Sequence, residues 1–259
     1  MNSLGIVKAM IPVSVYSIRC MDSVDASFEE VINVKNRFIQ NMYNAWNFVL
    51  NSGISECDLT FIREINRLCG NGNIRDTMSC IYGTSWSPVI PVIEDVVCSI
   101  ESIKGIEDYV ERAIRMFCYL TRSELFNSGN KCTALLIANS ILIQGNIGML
   151  IIPDRYLSEF RMLLSAFYEN GDDSKLGKFL REYCIVYFDD VNIKIREDFD
   201  CYARIYNLMG MYYPCKYARR VSKEEIDSGY RDGVIVEFDR EYWVNSRDVI
   251  MSFIYKIKM

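Results

Sequence analysis

Histidine is absent from all 259 residues of this chain. That removes the side chain that most often serves as a general base near neutral pH. It also excludes every zinc site that combines cysteine with histidine. No two of the ten cysteines form a C-x-x-C pair, and their density is far below that of a small disulfide-built scaffold. Cys98, Cys118 and Cys184 lie inside apolar periodic runs and are expected to be buried free thiols of a reducing compartment. No block of basic residues occurs: 29 Lys and Arg face 34 Asp and Glu, for a net charge of -5 and a pI near 5.0. General nucleic-acid binding is therefore not expected. The apolar stretches are too short or too interrupted to span a bilayer, and the first twenty residues lack the charged start and cleavage site of a signal peptide. The expected location is the cytoplasm, with no membrane partner. No internal repeat or low-complexity segment stands out.

Half of the residues are hydrophobic, which is ample for a sizeable core. Residues 1–26 form an N-terminal segment, residues 27–185 read as a mainly helical domain, and residues 186–259 read as a small C-terminal α/β subdomain. Ser27, followed by Glu29 and Glu30, predicts the start of a helix whose apolar face is Val31, Val34, Phe38, Met42 and Trp46. Asp58 predicts the cap of a second helix over 59–68, ended by Gly70-Asn71-Gly72. Residues 74–91 are turn-rich with short apolar flanks and read as a hairpin or ordered loop. Pro91 precedes a short helix, and Gly105 opens another run with Ile106, Val110, Ala113, Ile114 and Phe117 facing inward. Residues 133–144 are apolar on nearly all sides, as in a helix buried all round and stopped by Gly145. Two further helices are expected over 154–169 and 174–185. Beyond them, 219–233 reads as a surface connection, 234–238 as a strand and 246–258 as a terminal helix or strand. Lys216, Arg219 and Arg220 beside Tyr212-Tyr213-Pro214 have no wider positive field to support a nucleic-acid role.

The segment from Ser123 to Ala134 carries the most chemistry. Gly129-Asn130-Lys131 sits where a loop enters a hydrophobic helix, a junction that offers backbone N–H groups and the positive end of the helix dipole to an anion. Gly129 permits close backbone approach, Asn130 can order the loop or donate to a phosphate, and Lys131 can supply a point charge. An ordinary capped helix start, with Asn130 as the cap and Lys131 solvated, accounts for the same residues.

This segment resembles the signature loop of the Fic/Doc family, written H-P-F-x-[DE]-G-N-[GK]-R. In that register Phe126, Gly129, Asn130 and Lys131 match. Glu124 stands in the place of the histidine, Leu125 of the proline, Ser128 of the acidic residue and Cys132 of the arginine. The resemblance extends over roughly residues 20–185 and includes Gly72 to Arg75 and the Gly83-Thr84-Ser85-Trp86 turn followed by Pro88 and Pro91. It implies a helical bundle with a small β-hairpin flap. It also implies protein adenylyltransfer: AMP passes from ATP, bound with Mg2+, to a protein hydroxyl. The family histidine is the base, the acidic residue holds the metal, and the Gly-Asn backbone and arginine grip the phosphates. The flap, here Ile81, Tyr82, Gly83, Thr84 and Trp86, aligns a partner or target peptide. The family's inhibitory pattern [ST]-x-x-x-E-[GN] is most nearly matched by Ser17 to Asp22, with Met21 in the glutamate's place.

The departures bear on that chemistry directly. A glutamate has an unperturbed pKa of about 4.3, some two units below histidine, and is a weaker base. Its charge also opposes phosphate. Ser128 can touch Mg2+ through its hydroxyl but cannot neutralise it. Cys132 cannot make the bidentate grip of an arginine. The expected protein is thus a Fic-fold chain with lost or strongly reduced AMP transfer. It would keep a nucleotide- or phosphate-binding loop at Phe126, Gly129, Asn130, Lys131 and Cys132, with ATP and Mg2+ bound weakly or not at all. The alternatives are an active transferase using Glu124 or substrate-assisted proton transfer, and an unrelated helical interaction module. The flap edge and the tyrosine-rich C-terminal region are the surfaces through which a homodimer would form, and a monomer fits the sequence equally well.

Overall fold

The computed structural model describes residues 3–21, 30, 31, 34, 36–52, 57–153, 156–188, 217–220, 223–227, 234–237 and 241–244. Helix α1 (Ser3–Met21) is buried on nearly every side from Ile6 to Ile18. Its uniform burial leaves no polar stripe for periodicity to reveal, and Pro12 lies inside it, so the sequence does not advertise this helix. Met21 closes it from within the core, and Arg161 donates to the Cys20 carbonyl at its end at 2.7 Å.

The single helix expected from Ser27 is broken: Glu30 and Val31 are helical, Ser27 lies outside the described residues, and helix α2 (Arg37–Asn51) begins anew. Val34 adopts φ 48°, a left-handed conformation that interrupts any helix running on from Val31. The Asn36 side chain then accepts from Ile39 N at 2.9 Å and restarts the chain as a capped helix. Met42 and Trp46 face the core as expected, with Ile39, Ala45 and Val49 completing the stripe. Helix α3 (Leu59–Cys69) has its expected cap, Asp58 accepting from Phe61 N at 2.8 Å. Helices α4 (Ile93–Lys104) and α5 (Tyr109–Ser123) follow. Gly105 ends α4 rather than opening α5, because the Asp108 carboxylate supplies the N-terminal cap by accepting from Glu111 N at 2.8 Å.

Helix α6 (Asn130–Gln144) is the centre of the bundle. Ten of its fifteen residues are buried, and α1, α2, α3 and α5 all pack on it. Strand β1 (Gly148–Leu150) follows, then α7 (Leu157–Asn170), α8 (Ser174–Phe179) with a π-helical turn over Leu180–Cys184, and strand β2 (Ile185–Tyr187). The strands pair antiparallel in the register Gly148↔Tyr187 and Leu150↔Ile185. Gly148 is required there, since a Cβ would run into the Val186 carbonyl. Three-residue strands carry too little alternation to be predicted, and the helix expected over 174–185 absorbs the start of β2.

The backbone of 150–152 is satisfied from two directions. Ile151 N donates to Cys184 O at 2.8 Å across the β pairing. On the other edge Asn139, wholly buried in α6, accepts from Leu150 N at 2.8 Å and donates to Leu150 O at 2.9 Å. Ser17 of α1 does the same for Ile152, accepting from its N–H at 2.9 Å and donating to its carbonyl at 3.1 Å. Two side chains thus stand in for a missing strand and lock α1, α6 and β1 together.

The C-terminal region holds a three-stranded antiparallel sheet of β3 (Tyr217–Arg220), β4 (Val234–Glu237) and β5 (Glu241–Val244), in that spatial order, with a short helix, α9 (Lys223–Asp227), between β3 and β4. β4 is the strand expected over 234–238; the surface connection expected over 219–233 contains the end of β3 and all of α9. The element expected over 246–258, and Tyr212 to Lys216, lie outside the described residues. Cys118 and Cys184 are buried, and burial raises both thiol pKa values. Cys98 departs from expectation: it is exposed on α4. No helix among the described residues is long and apolar enough to cross a membrane.

Replacing Asn139 by Leu strands the N–H and carbonyl of Leu150 in the core. Urea unfolding should register a loss of about 2–4 kcal/mol, against about 1–3 kcal/mol for Ser17→Ala. A loss below about 0.5 kcal/mol for Asn139→Leu would show that the clamp does not carry the β1 backbone.

Candidate functional site

The loop between α5 and α6 is built by its own side chains. α5 ends at Glu124, which takes φ 42° and ψ 59° and turns the chain away from the helix axis. Leu125 and Phe126 then point into the core. The Asn130 side chain bridges back over the loop, accepting from Phe126 N at 2.9 Å and donating to Phe126 O at 2.8 Å. Both functions of its amide order the turn, the structural role its position allowed.

Gly129 caps α6 with φ 73°. A Cβ there would lie 3.2 Å from Cys69 C and from Gly70 N and Cα, and a Cβ on Gly70 would lie 2.7 Å from Ser128 O. The two glycines let the end of α3 and the start of α6 touch backbone to backbone. Asn66, fully buried on α3, fixes this contact: it donates to Ser128 O at 2.9 Å and Thr133 Oγ1 at 3.0 Å, and accepts from Gly72 N at 3.0 Å. Sequence reasoning passed over Asn66. The signal was present, since a polar residue interrupts the apolar stripe of Phe61, Ile62 and Ile65.

Ser128 is exposed and Lys131 half-buried at the mouth of the turn. Cys132 is not at the mouth. It is 1% exposed, with its sulfur 2.9 Å from Met42 Sδ and 3.0 Å from Cys69 Sγ. The position that would carry the phosphate-gripping arginine therefore faces the core. Met21 lies within the same buried core, at the end of α1.

The flap segment is an ordered loop joined to the turn at its base. Arg75 N donates to Leu125 O at 2.9 Å and Asn127 N to Asn73 O at 3.2 Å, around an antiparallel bridge of Ile74 with Phe126. Its tip folds back where Ile81 N meets Trp86 O at 3.3 Å, with Gly83 at φ 80° and Tyr82 fully exposed. No regular ladder forms between its arms. Instead the buried Arg75 guanidinium holds them, donating to Thr77 O and Val89 O at 2.6 Å each, to Glu124 O at 2.9 Å and to Ser123 O at 3.5 Å. The tip is anchored elsewhere: Ser85 N and Oγ both donate to the Glu169 carboxylate. Trp86 lies under the Arg122 guanidinium, 3.5 Å from its ring centroid, and donates Nε1–H to Arg122 O at 3.3 Å. Trp86 is thus a brace for its own loop, while Tyr82 projects into solvent. Burial lowers the Arg122 pKa.

The Glu124 carboxylate turns toward the flap and accepts from Ser79 Oγ at 3.0 Å. Ser79 is fixed in turn, its carbonyl accepting from Ser87 Oγ at 2.6 Å. A carboxylate and a hydroxyl therefore face each other between loop and flap. A cavity of about 490 Å³ lies behind the descending arm, against α4 and α5, with Trp86, Ile90, Val96, Tyr119 and Leu125 in its walls. Glu124, Gly129 and Lys131 do not line it.

Arg75→Met should detach the flap base, costing about 2–4 kcal/mol in urea unfolding and exposing the 76–90 segment to limited proteolysis. Arg75→Lys should recover little, because three tetrahedral donors cannot reach the same carbonyls. The flap tip should respond to acid. The bonds from Ser85 hold the Glu169 carboxyl below its ordinary value of 4.5. The anchor is therefore intact above that value and lost as pH falls through the lowered one. Protection of the Ser85 amide, measured as its exchange rate relative to the intrinsic rate at the same pH, should be full at and above pH 4.5 and fall only at lower pH, whereas Glu169→Gln should flatten the dependence.

No protein-family model matches this chain. No curated protein matches it either. Among solved structures it is similar to residues 134–508 of Fic-1 from C. elegans, with a TM-score of 0.53 and 24% identity over 66% of this chain and 58% of that one. It is likewise similar to a variant of that fragment with one glutamate changed to glycine, with a TM-score of 0.54 and 21% identity over 70% of this chain and 62% of that one. The chain thus spans about three fifths of the length of the structures it matches. Residues 124–131 lie at the start of a central buried helix, and the 76–90 segment lies beside them as an ordered loop, without the β-hairpin ladder expected of the flap. This chain has a Fic-like fold.

Proposed function

We propose that this protein is a Fic-fold binding module with lost or strongly reduced AMP transfer, in which the flap engages a protein partner and the Gly129–Lys131 turn offers a weak anion site. The observation that carries this reading is the state of the residue in the base position. Glu124 is a carboxylate already hydrogen-bonded to the flap through Ser79. Its negative charge lies on the loop where phosphates would have to sit. The other losses act in the same direction. Cys132 is in the core, Asn130 spends its amide on Phe126, and Ser128 brings a hydroxyl where a carboxylate would neutralise a metal.

The donor set does not fit a divalent cation at the loop. Mg2+ takes hard oxygen ligands including carboxylate, and the loop's single carboxylate, Glu124, is engaged by Ser79. Among the described residues no group of three or more His, Cys, Asp or Glu is arranged to hold a metal. For an anion the turn presents the first-turn backbone of α6, with Lys131 half-buried at its mouth, a combination suited to a phosphate or carboxylate at low affinity. On the flap the exposed Tyr82 at a braced tip gives a partner a rigid aromatic anchor.

A second reading has one observation in its favour. A hydroxyl held 3.0 Å from a carboxylate is the geometry of general-base catalysis, so a target hydroxyl replacing that of Ser79 at Glu124 Oε2 would be within reach of a base. The fold match sets aside the unrelated helical module as an explanation.

The deciding experiment incubates the purified chain with labelled ATP, Mg2+ or Mn2+, and cell lysate. The expected result is no transfer above that of a Gly129→Arg control. Efficient labelling that disappears in Glu124→Gln, with the circular dichroism spectrum unchanged, would establish the second reading and overturn the first.

A further inference from the structure

Three sulfurs meet beneath the signature turn. Cys132, the third residue of α6, has its thiol 3.0 Å from the thiol of Cys69, the last residue of α3, and 2.9 Å from the Met42 thioether of α2. Both thiols are reduced. A disulfide has an S–S distance of about 2.05 Å, so the pair is about 1 Å from bonding, a movement within reach of side-chain rotation. The backbones are already in contact: a Cβ on Gly129 would lie 3.2 Å from Cys69 C. Asn66 spans the same junction through Ser128 and Thr133.

Access is asymmetric. Cys69 is partly exposed and Cys132 is 1% exposed. That is the arrangement of an attacked thiol at the surface with a resolving thiol behind it. Met42, wholly buried, closes the far side and cannot itself form a disulfide.

We infer that Cys69 and Cys132 are an oxidation site that closes to a reversible intramolecular disulfide, with a hydroperoxide as the oxidant. The Cys69 thiolate attacks one peroxide oxygen, the O–O bond breaks, and hydroxide leaves to take up a proton as water. Cys69 is then a sulfenic acid. Cys132 sulfur attacks Cys69 sulfur, the S–O bond breaks, and the departing hydroxide carries away the Cys132 proton as a second water. Two electrons pass from the sulfurs to the peroxide. Reduction by an external dithiol returns both thiols. The link ties the end of α3 covalently to the first turn of α6, on the segment that shapes the Gly129 turn. It joins positions 63 apart in sequence, long enough for the link to restrict the unfolded chain substantially. This inference stands independently of the proposed binding function.

The test treats the reduced full-length chain with limiting hydrogen peroxide and then alkylates it in denaturant. Peptides are mapped without reduction. The expected result is a linked peptide pair joining Cys69 to Cys132, lighter by two hydrogens, formed before the exposed Cys80 and Cys98 are consumed and removed by dithiothreitol. In Cys69→Ser, which keeps a side chain of similar size at a partly exposed position, the linked pair should be absent and Cys132 fully alkylated. The inference is overturned if Cys69 and Cys132 are both recovered alkylated after Cys80 and Cys98 have reacted. Conversion of Met42 to its sulfoxide with both thiols intact would overturn it equally.

Discussion

A buried guanidinium holds the loop before α6 and the 76–90 segment together. α5 terminates in a left-handed residue, which leaves the carbonyls of Ser123 and Glu124 without helical partners at the negative end of the helix dipole. Arg75 supplies donors to both and, with the rest of its fork, to Thr77 and Val89. The positive charge is met by oriented carbonyl dipoles, and each unpaired carbonyl gains a donor. Because the same side chain touches the helix end and both arms of the flap, the position of Glu124 and the position of the flap are one variable. The Ser79 contact to Glu124 follows from that coupling.

The second constraint is backbone proximity at Gly70 and Gly129. Side chains at either position would force the end of α3 away from α6. With them absent, Asn66 reaches across and Cys132 packs on Cys69. The turn that resembles a phosphate cradle is thus supported from below by a polar residue and a sulfur cluster, and from the side by its own Asn130.

Much of this was legible in the sequence, element by element. Asp58 as a cap, Gly145 as a stop, and the all-round apolar run of α6 followed from local rules that the tertiary structure did not override. The failures have physical causes. α1 is buried on nearly every side from Ile6 to Ile18 and so lacks the polar stripe that marks a surface helix. The helix expected from Ser27 onward is not continuous: Glu30 and Val31 are helical, but the left-handed turn at Val34 separates them from α2, and no local signal marks that break. Strands β1 and β2 are too short for alternation to register. At the site, the motif located the loop and the substituted positions, but not where the substituted side chains point. That Cys132 turns inward depends on Met42 and Cys69, which are distant in sequence, and that Trp86 braces its own loop depends on Arg122. Such partners are set by packing between elements and leave no periodic trace.

The side-chain clamp on residues 150–152 has a consequence beyond holding α1 and α6 in place. A short strand with a free edge is a template on which another extended chain can assemble. Here Asn139 and Ser17 occupy the donors and acceptors that such a chain would need at Leu150 and Ile152. The same bonds that fix the bundle therefore keep this edge of the small sheet from recruiting neighbours. The 76–90 segment keeps its shape by other means, since its backbone between the braced ends has no ladder of its own.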